Sequence, residues 1–365
     1  MYTMTPIEFI NEEYPALLSY MANTDHGMIK DGADFSMNLN PYHLEGDVLT
    51  HSLMVYSHID KHAHPLEFFQ MSAMLHDMGK IDTRDVIEKD NGTTVVRFAN
   101  HEGLSFLMAS DIIKAYSEHV YDMVNEKYVK ACLFAIANHG VFKDNPHMLT
   151  YNYAQNALRP FDKLSLDMLA ELIKADRMGR IMQDGIKFKD IDVQGYILDA
   201  EHNADAVVEE PYHKKEVIIM IGLPRSGKST YIKTHLGDYF QISRDALIME
   251  SCIGAKTYTE AWNSVDQEEI DKKLMQKAQT AFKTEDKIVI DMTNMSKKSR
   301  KKWLSLAKQN DFFTKAYVMA TTAEKCVDRS YDSKVKHIPL NVITSMSKRF
   351  TFPLGDEFDY VDIKL

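Results

Sequence analysis

The chain is short of cysteine, of positive charge and of long apolar runs. Its three cysteines, Cys132, Cys252 and Cys326, lie far apart and form no CxxC pair. That spacing excludes a disulfide framework and a zinc ribbon, and it suits a reducing compartment, so a cytoplasmic location is expected. Acidic residues outnumber basic ones by 53 to 43, a formal net charge of −10. Such a chain does not coat nucleic acid through a global field, so polynucleotide contact has to come from local basic patches. No run of eighteen apolar residues exists, and the N-terminus has neither a basic n-region nor an apolar stretch behind it. Neither a membrane span nor a secretory leader is therefore expected.

What is present fits two globular domains. The chain has 365 residues, 45% hydrophobic and 26% charged, enough for two separately cored units of ~150–200 residues. Its 22 methionines read as adaptable core filler. Up to about residue 200 the apolar spacing is mostly helical, as in Ser105–Ile113, Val129–Ala137 and Leu164–Lys174. Thr93–Phe98, after Asn91-Gly92, is the one strand or hairpin signal there. A polar segment places a linker at roughly 201–213, dividing the chain into an all-α domain over 1–205 and an α/β domain over 214–365. In the second domain Val217–Ile221, Lys287–Asp291 and Ala316–Ala320 read as buried parallel strands separated by helices.

The first of these strands runs into Gly222-Leu223-Pro224-Arg225-Ser226-Gly227-Lys228-Ser229 and then a helix beginning at Thr230. This is the Walker A pattern in the context it requires. Gly222 and Gly227 let backbone N–H groups turn toward a phosphate. Lys228 supplies a point charge, the Ser229 hydroxyl a Mg²⁺ ligand, and the helix at Thr230 its positive end. A nucleoside triphosphate such as ATP, with Mg²⁺, is the expected cofactor. Asp245, just past the short strand at Gln241–Ser243, is placed to accept a proton from an attacking hydroxyl. It is also a candidate helix N-cap. Asp291-Met292-Thr293-Asn294 follows the next strand; the acid suits Mg²⁺ or its waters, and Asn294 suits either substrate or a turn.

Together with the Arg329…Pro339 stretch, these residues resemble the kinase domain of phage-type 5′-hydroxyl polynucleotide kinases. The resemblance implies that Lys228 and Ser229 bind donor, that Asp245 is the general base, and that Arg244, Asp291 and Asn294 serve the acceptor side. Arg329 would be a lid arginine on the transferring phosphoryl. Two departures concern the acceptor: Ile248 stands where the family commonly has an arginine, and Ser333 where a second lid arginine is expected. Lys334 and Lys336 are possible point-charge substitutes. The basic run Lys297–Lys302 suits a phosphate-contact surface or a merely solvated helix face.

The first half carries a second chemistry. His76-Asp77, after the apolar helix Phe68–Leu75, is a mixed nitrogen and oxygen set suited to a divalent transition ion. His51, His101, His139 and Asp176 are the candidate co-ligands, each at or within an apolar helical segment. This order resembles the HD phosphohydrolase superfamily over about 40–200. By that resemblance His51, His76, Asp77 and Asp176 bind a core metal such as Mn²⁺, Co²⁺, Ni²⁺ or Fe²⁺, and His101 with His139 complete a second site. Lys80 would meet a substrate phosphate, assisted by Arg180.

The two halves together resemble the bifunctional HD-Pnk end-healing enzymes. That resemblance implies phosphorylation of 5′-hydroxyl ends of RNA or DNA and removal of 2′,3′-cyclic or terminal phosphate from the other end, leaving strands for an RNA ligase. A metabolite kinase fused to a nucleotidase, or a kinase with a non-catalytic HD binding module, would use the same motifs.

Overall fold

The computed structural model describes residues 4–27, 40–92, 94–141, 151–185, 195, 197, 213–333 and 336–365. Thr93, nearly all of the expected linker and Lys334 lie outside these. The chain divides into two compact units, Met1–Ala206 and Val207–Leu365. No helix among the described residues is long and apolar enough to cross a membrane.

The described helices of the first unit are α1 (Pro6–Glu13), α2 (Pro15–Ala22), α3 (Val48–His58), α4 (Leu66–Leu75), α5 (Lys80–Thr83), α6 (His101–Tyr121), α7 (Glu126–Asn138), α8 (Tyr151–Leu158) and α9 (Lys163–Met178). Local chemistry fixes where several begin. Thr5 and Glu8 form a capping box with Pro6 in the first turn, and Asp47, Asn125 and Asp162 cap α3, α7 and α9. In α4 seven of ten residues are buried, so this helix is apolar nearly all round and the others wrap it. It packs against α1, α3, α6, α7 and α9. The unit is not purely helical: β1 (Arg84–Glu88) and β2 (Thr94–Phe98) form an antiparallel hairpin, with Val86 opposite Val96. Only its second strand carried a clear sequence signal, because β1 is mostly polar and exposed.

The second unit holds a five-stranded sheet of β3 (Glu216–Ile221), β4 (Phe240–Ser243), β5 (Lys287–Asp291), β6 (Phe313–Met319) and β7 (Tyr360–Lys364). The order is β4-β5-β3-β6-β7 and every pairing is parallel. All six residues of β3 are buried, as a central strand covered on both faces demands. Its described helices are α10 (Lys228–His235), α11 (Arg244–Ser251), α12 (Tyr258–Ser264), α13 (Gln267–Thr284), α14 (Lys297–Gln309), α15 (Ala323–Tyr331) and α16 (Leu340–Ser347). The nucleotide motif leaves the carboxyl end of β3, where open parallel sheets bind ligands.

The basic run on α14 divides in the structure. Arg300 is fully buried: it pairs with Glu357 through Nη2–Oε1 at 2.7 Å and Nε–Oε2 at 2.9 Å, and donates to the carbonyls of Asn294 and Thr351. It is therefore neither a phosphate contact nor part of a solvated face; it clamps the segment after β5 to the chain before β7. Removing one partner of a buried ion pair strands the other, at a cost of about 3–5 kcal/mol. Arg300→Ala should lower the unfolding midpoint of the second unit accordingly in a urea titration, while Lys298→Ala, on an exposed side chain, should leave it in place.

Candidate active sites

In the first unit five helices deliver one centre. His51 comes from α3, His76 caps the end of α4 with Asp77 in the turn after it, His101 opens α6, His139 caps the end of α7 and Asp176 lies in the last turns of α9. All six residues are buried. Asp77 is the hub. Its Oδ2 lies 3.3 Å from His76 Nε2 and 3.6 Å from His51 Nε2, while Oδ1 lies 3.2 Å from His101 Nε2 and 3.4 Å from His139 Nε2. Asp176 Oδ1 adds contacts of 3.0 Å to His51 and 3.9 Å to His76.

The backbone sets the tautomers. His76 Nδ1 donates to Ala73 O at 2.8 Å, His101 Nδ1 to Phe98 O at 2.8 Å, and His139 Nδ1 to Ile136 O at 2.9 Å. A carbonyl only accepts, so the proton sits on Nδ1 and each Nε2 turns a lone pair toward the carboxylate. His76 Nε2 and both Asp77 oxygens are buried without a well-directed hydrogen bond. Lone pairs facing a buried carboxylate repel it unless a cation lies between them, so this donor set fits a divalent ion. His51–His76–Asp77 and Asp77–His101–His139 each bring three donors within 4.8 Å of one another. Burial opposes the charge on Asp77, yet the Lys80 ammonium beside it favours the ionised form, and its carboxyl lies well below the usual range.

Lys80 and Arg180 act differently from one another. Lys80 Nζ lies 2.6 Å from Asp77 Oδ2 and 3.0 Å from His26 Nε2, at the centre itself. Arg180 is turned onto Asp176, with Nε 3.0 Å from Oδ1 and a second contact from Nη2 to Oδ2. Its fork fixes that carboxylate instead of facing a phosphate. Sequence reasoning missed His26, His43 and Glu45. His43 Nδ1 and His51 Nδ1 share Glu45 Oε1 at 2.7 and 2.9 Å, and His26 stacks on His43 at 4.3 Å. They sit outside periodic segments, where spacing gives no signal. Gly79 is a glycine because a Cβ there would lie 2.8 Å from Ser105 N on α6.

In the second unit the nucleotide loop is formed. Gly227 has φ +101°, and a Cβ on Gly222 would come within 2.7 Å of Ser226 Oγ and 2.9 Å of Met319 Cβ. Lys228 Nζ donates to Gly222 O at 2.9 Å and Leu223 O at 2.6 Å, and burial pushes its pKa down to about 8. Ser229 Oγ donates to Asp291 Oδ2 at 2.8 Å, and Gln241 Nε2 donates to the same oxygen at 2.9 Å. A hydroxyl beside an acid is the corner a Mg²⁺ ion uses in such sites. Thr230 follows in the first turn of α10, exposed.

Asp245 does not cap its helix. Ser243 does so, accepting from Ala246 N. Both Asp245 oxygens take other partners: Tyr258 OH at 2.7 Å, and Lys336 Nζ. Arg244 points away from Asp245, bound to Asp271 Oδ1 and Gln267 Oε1 at 2.7 Å each. Asn294 is buried with φ +47°; its Nδ2 donates to Met220 O at 2.9 Å and its Oδ1 accepts from Trp303 Nε1 at 3.2 Å. Both ends of its amide bracket β3 to α14, so it is a turn and core residue and not an acceptor contact. Arg329 and Arg225 hold each other's carbonyls at the loop. Ile248 is core, packed with Ala261 and Ile270. Ser333 Oγ accepts from Lys336 N at 3.1 Å.

With this geometry in place, comparisons with known proteins give three findings. Residues 48–175 match the HD domain family and residues 217–353 an AAA domain family, so the chain carries one domain of each kind. It is 27% identical over 159 residues to the bifunctional polynucleotide phosphatase/kinase of Schizosaccharomyces pombe, covering 40% of this chain and 34% of that protein. It is 30% identical over 162 residues to a protein named as a bifunctional polynucleotide phosphatase/kinase in Acanthamoeba polyphaga mimivirus, covering 41% and 33%. The chain thus spans about a third of the length of these relatives. Among solved structures, the Pnkp1/Rnl/Hen1 RNA repair complex aligns with a TM-score of 0.31 at 20% identity, over 39% of this chain and 45% of that one; a likeness at that score decides nothing.

Two outcomes are expected. Glu45→Gln removes the carboxylate behind His51 and should weaken Mn²⁺ binding roughly 10–100-fold in a calorimetric titration; unchanged affinity would leave Gly179 O, 3.2 Å from His51 Nδ1, as a sufficient orienter. Phosphate binding favours protonated Lys228, whose pKa in the free protein is about 8. The ATP Kd should therefore rise as pH climbs above about 8, and Lys228→Arg, which does not titrate there, should flatten that rise.

Proposed function

We propose that the protein heals nucleic-acid ends: the second unit phosphorylates 5′-hydroxyl termini from ATP, and the first removes 2′,3′-cyclic or terminal phosphate from the opposite end. What carries this reading is one chain holding both a formed nucleotide loop with a carboxylate, Asp245, held apart from helix capping, and a buried His/Asp centre whose lone pairs call for metal. Relatives named for both polynucleotide activities support it.

In the kinase, Lys228 leaves the Gly222 and Leu223 carbonyls for the donor phosphates. Ser229 and Asp291 hold Mg²⁺, and Gln241 keeps Asp291 oriented. Asp245 takes the proton of the attacking 5′-hydroxyl as phosphorus–oxygen bond formation begins. Tyr258 orients that carboxylate, and Lys336 neutralises it until an acceptor arrives. Arg329, exposed beside the loop, meets the transferring phosphoryl.

In the HD domain His51, His76, Asp77 and Asp176 would hold the core ion, and His101 and His139 would complete a second site. Bound there, divalent metal lowers the pKa of water and polarises a phosphoryl oxygen. Lys80 swings from Asp77 to the substrate phosphate, while Arg180 keeps Asp176 in place. Mn²⁺, Co²⁺, Ni²⁺ and Fe²⁺ all suit this nitrogen–oxygen set. The product ends, a 5′-phosphate and a 3′-hydroxyl, are those an RNA ligase seals.

One RNA substrate carrying both broken ends tests the whole scheme. Lys228→Ala should abolish label transfer from ATP to the 5′-hydroxyl and spare the phosphoesterase. His76→Ala and Asp77→Ala should do the converse. Transfer to free nucleosides in preference to oligomers would point to a metabolite kinase. A cyclic phosphate untouched by wild type under every divalent metal would reduce the HD domain to a binding module.

A further inference from the structure

We infer that Trp262 on α12, with Tyr258 one turn before it, is a stacking platform for the bases at the 5′ end of a single-stranded polynucleotide acceptor. The inference deepens the kinase reading above and rests on it.

The platform begins at the general base. Tyr258 OH donates to Asp245 Oδ1 at 2.7 Å, and its ring centroid lies 5.9 Å from that of Trp262. Residues four apart on a helix share a face, so both rings extend outward from the reacting hydroxyl's position. Trp262 is 40% exposed, whereas Trp303 is fully buried. The same segment also exposes Met249 and, at 98%, Ile253. Tyr258 itself packs on a small core of Ile248, Ala261 and Ile270.

The charges around it select the occupant. The Arg244 guanidinium carbon sits 4.8 Å from the Trp262 ring centroid, fixed there by Asp271 and Gln267. Lys336 Nζ lies 4.1 Å from the Tyr258 centroid. Lys302 on α14 is near enough for the positive charge of Arg244 to add to burial in lowering its pKa. Aromatic faces interleaved with cations are the means by which single strands are held without sequence preference. This arrangement also accounts for Ile248: where an arginine would hold an acceptor phosphate, the residue is instead core that supports the stacking surface.

Steady-state kinetics and fluorescence test the platform separately from the activity. With a 5′-hydroxyl oligonucleotide, Trp262→Ala should raise the acceptor KM roughly 5- to 150-fold, the range set by stacking one base, without raising the KM for ATP. Trp262→Phe should restore most of the loss. An acceptor with an abasic 5′ residue should be poor for wild type and no poorer for Trp262→Ala. The chain has two tryptophans and one is buried, so the oligonucleotide should quench wild-type emission without ATP and leave Trp262→Phe unquenched. Quenching without any phosphorylation would sink the kinase reading and keep the platform. Phosphorylation with an unchanged acceptor KM in Trp262→Ala and no quenching would overturn the platform. Quenching that follows protein concentration instead of oligonucleotide would also overturn it, assigning the face to a second copy.

Discussion

One carboxylate carries the first unit. Asp77 faces a pair of histidines with each oxygen, His51 and His76 on one side and His101 and His139 on the other. The two oxygens keep a spacing set by the covalent geometry of the carboxylate itself, which forces the helices bearing those histidines into mutual register. This is a demanding arrangement: a fully buried anion costs several kcal/mol unless compensated, and Lys80 offsets only part of it. The helical packing around α4 is the scaffold that keeps four imidazoles turned toward one point.

The second unit solves a different problem. The proposed kinase reaction requires that a phosphoryl group, a metal and a hydroxyl meet at the carboxyl edge of the sheet. The register pairs Ser243 of β4 with Asp291 of β5, so the strand ends bring Asp245 and Asp291 to the same edge. Gln241 and Tyr258 each secure one of these acids by a hydrogen bond. Because the buried Arg300–Glu357 pair and the Asn294 amide hold the chain behind that edge, the reacting side chains stand on a stiff base while Lys336 reaches over it.

How much was legible follows from the range of each interaction. The nucleotide loop is local: glycine, lysine and serine act within one short stretch, so their spacing betrays them. The six residues of the buried His/Asp centre are spread from His51 to Asp176, but each sits beside an apolar helical run, and a polar group there needs a partner. Glu45, His43 and His26 have no such context; their partners lie in space and not in period. Arg300 was illegible for the opposite reason, since a basic run on a helix looks solvated until a distant glutamate closes over it. Asn294 was half legible: a turn was foreseen, but not that Trp303 would occupy its other end. β7 escaped notice because its polar residues alternate with apolar ones only briefly at the end of the chain.

The carbonyls of Ala73, Phe98 and Ile136 have a consequence for how this centre can change over time. They orient His76, His101 and His139 from main chain three residues upstream. Point substitutions replace side chains and leave carbonyls where they are, so the orientation of these three histidines is buffered against mutation as long as the helix ends persist. His51 differs, leaning on the side chain of Glu45 as well as on Gly179 O. Variation in the geometry of this centre has its easiest route through that one histidine, the corner whose support is encoded by a codon and not by the fold.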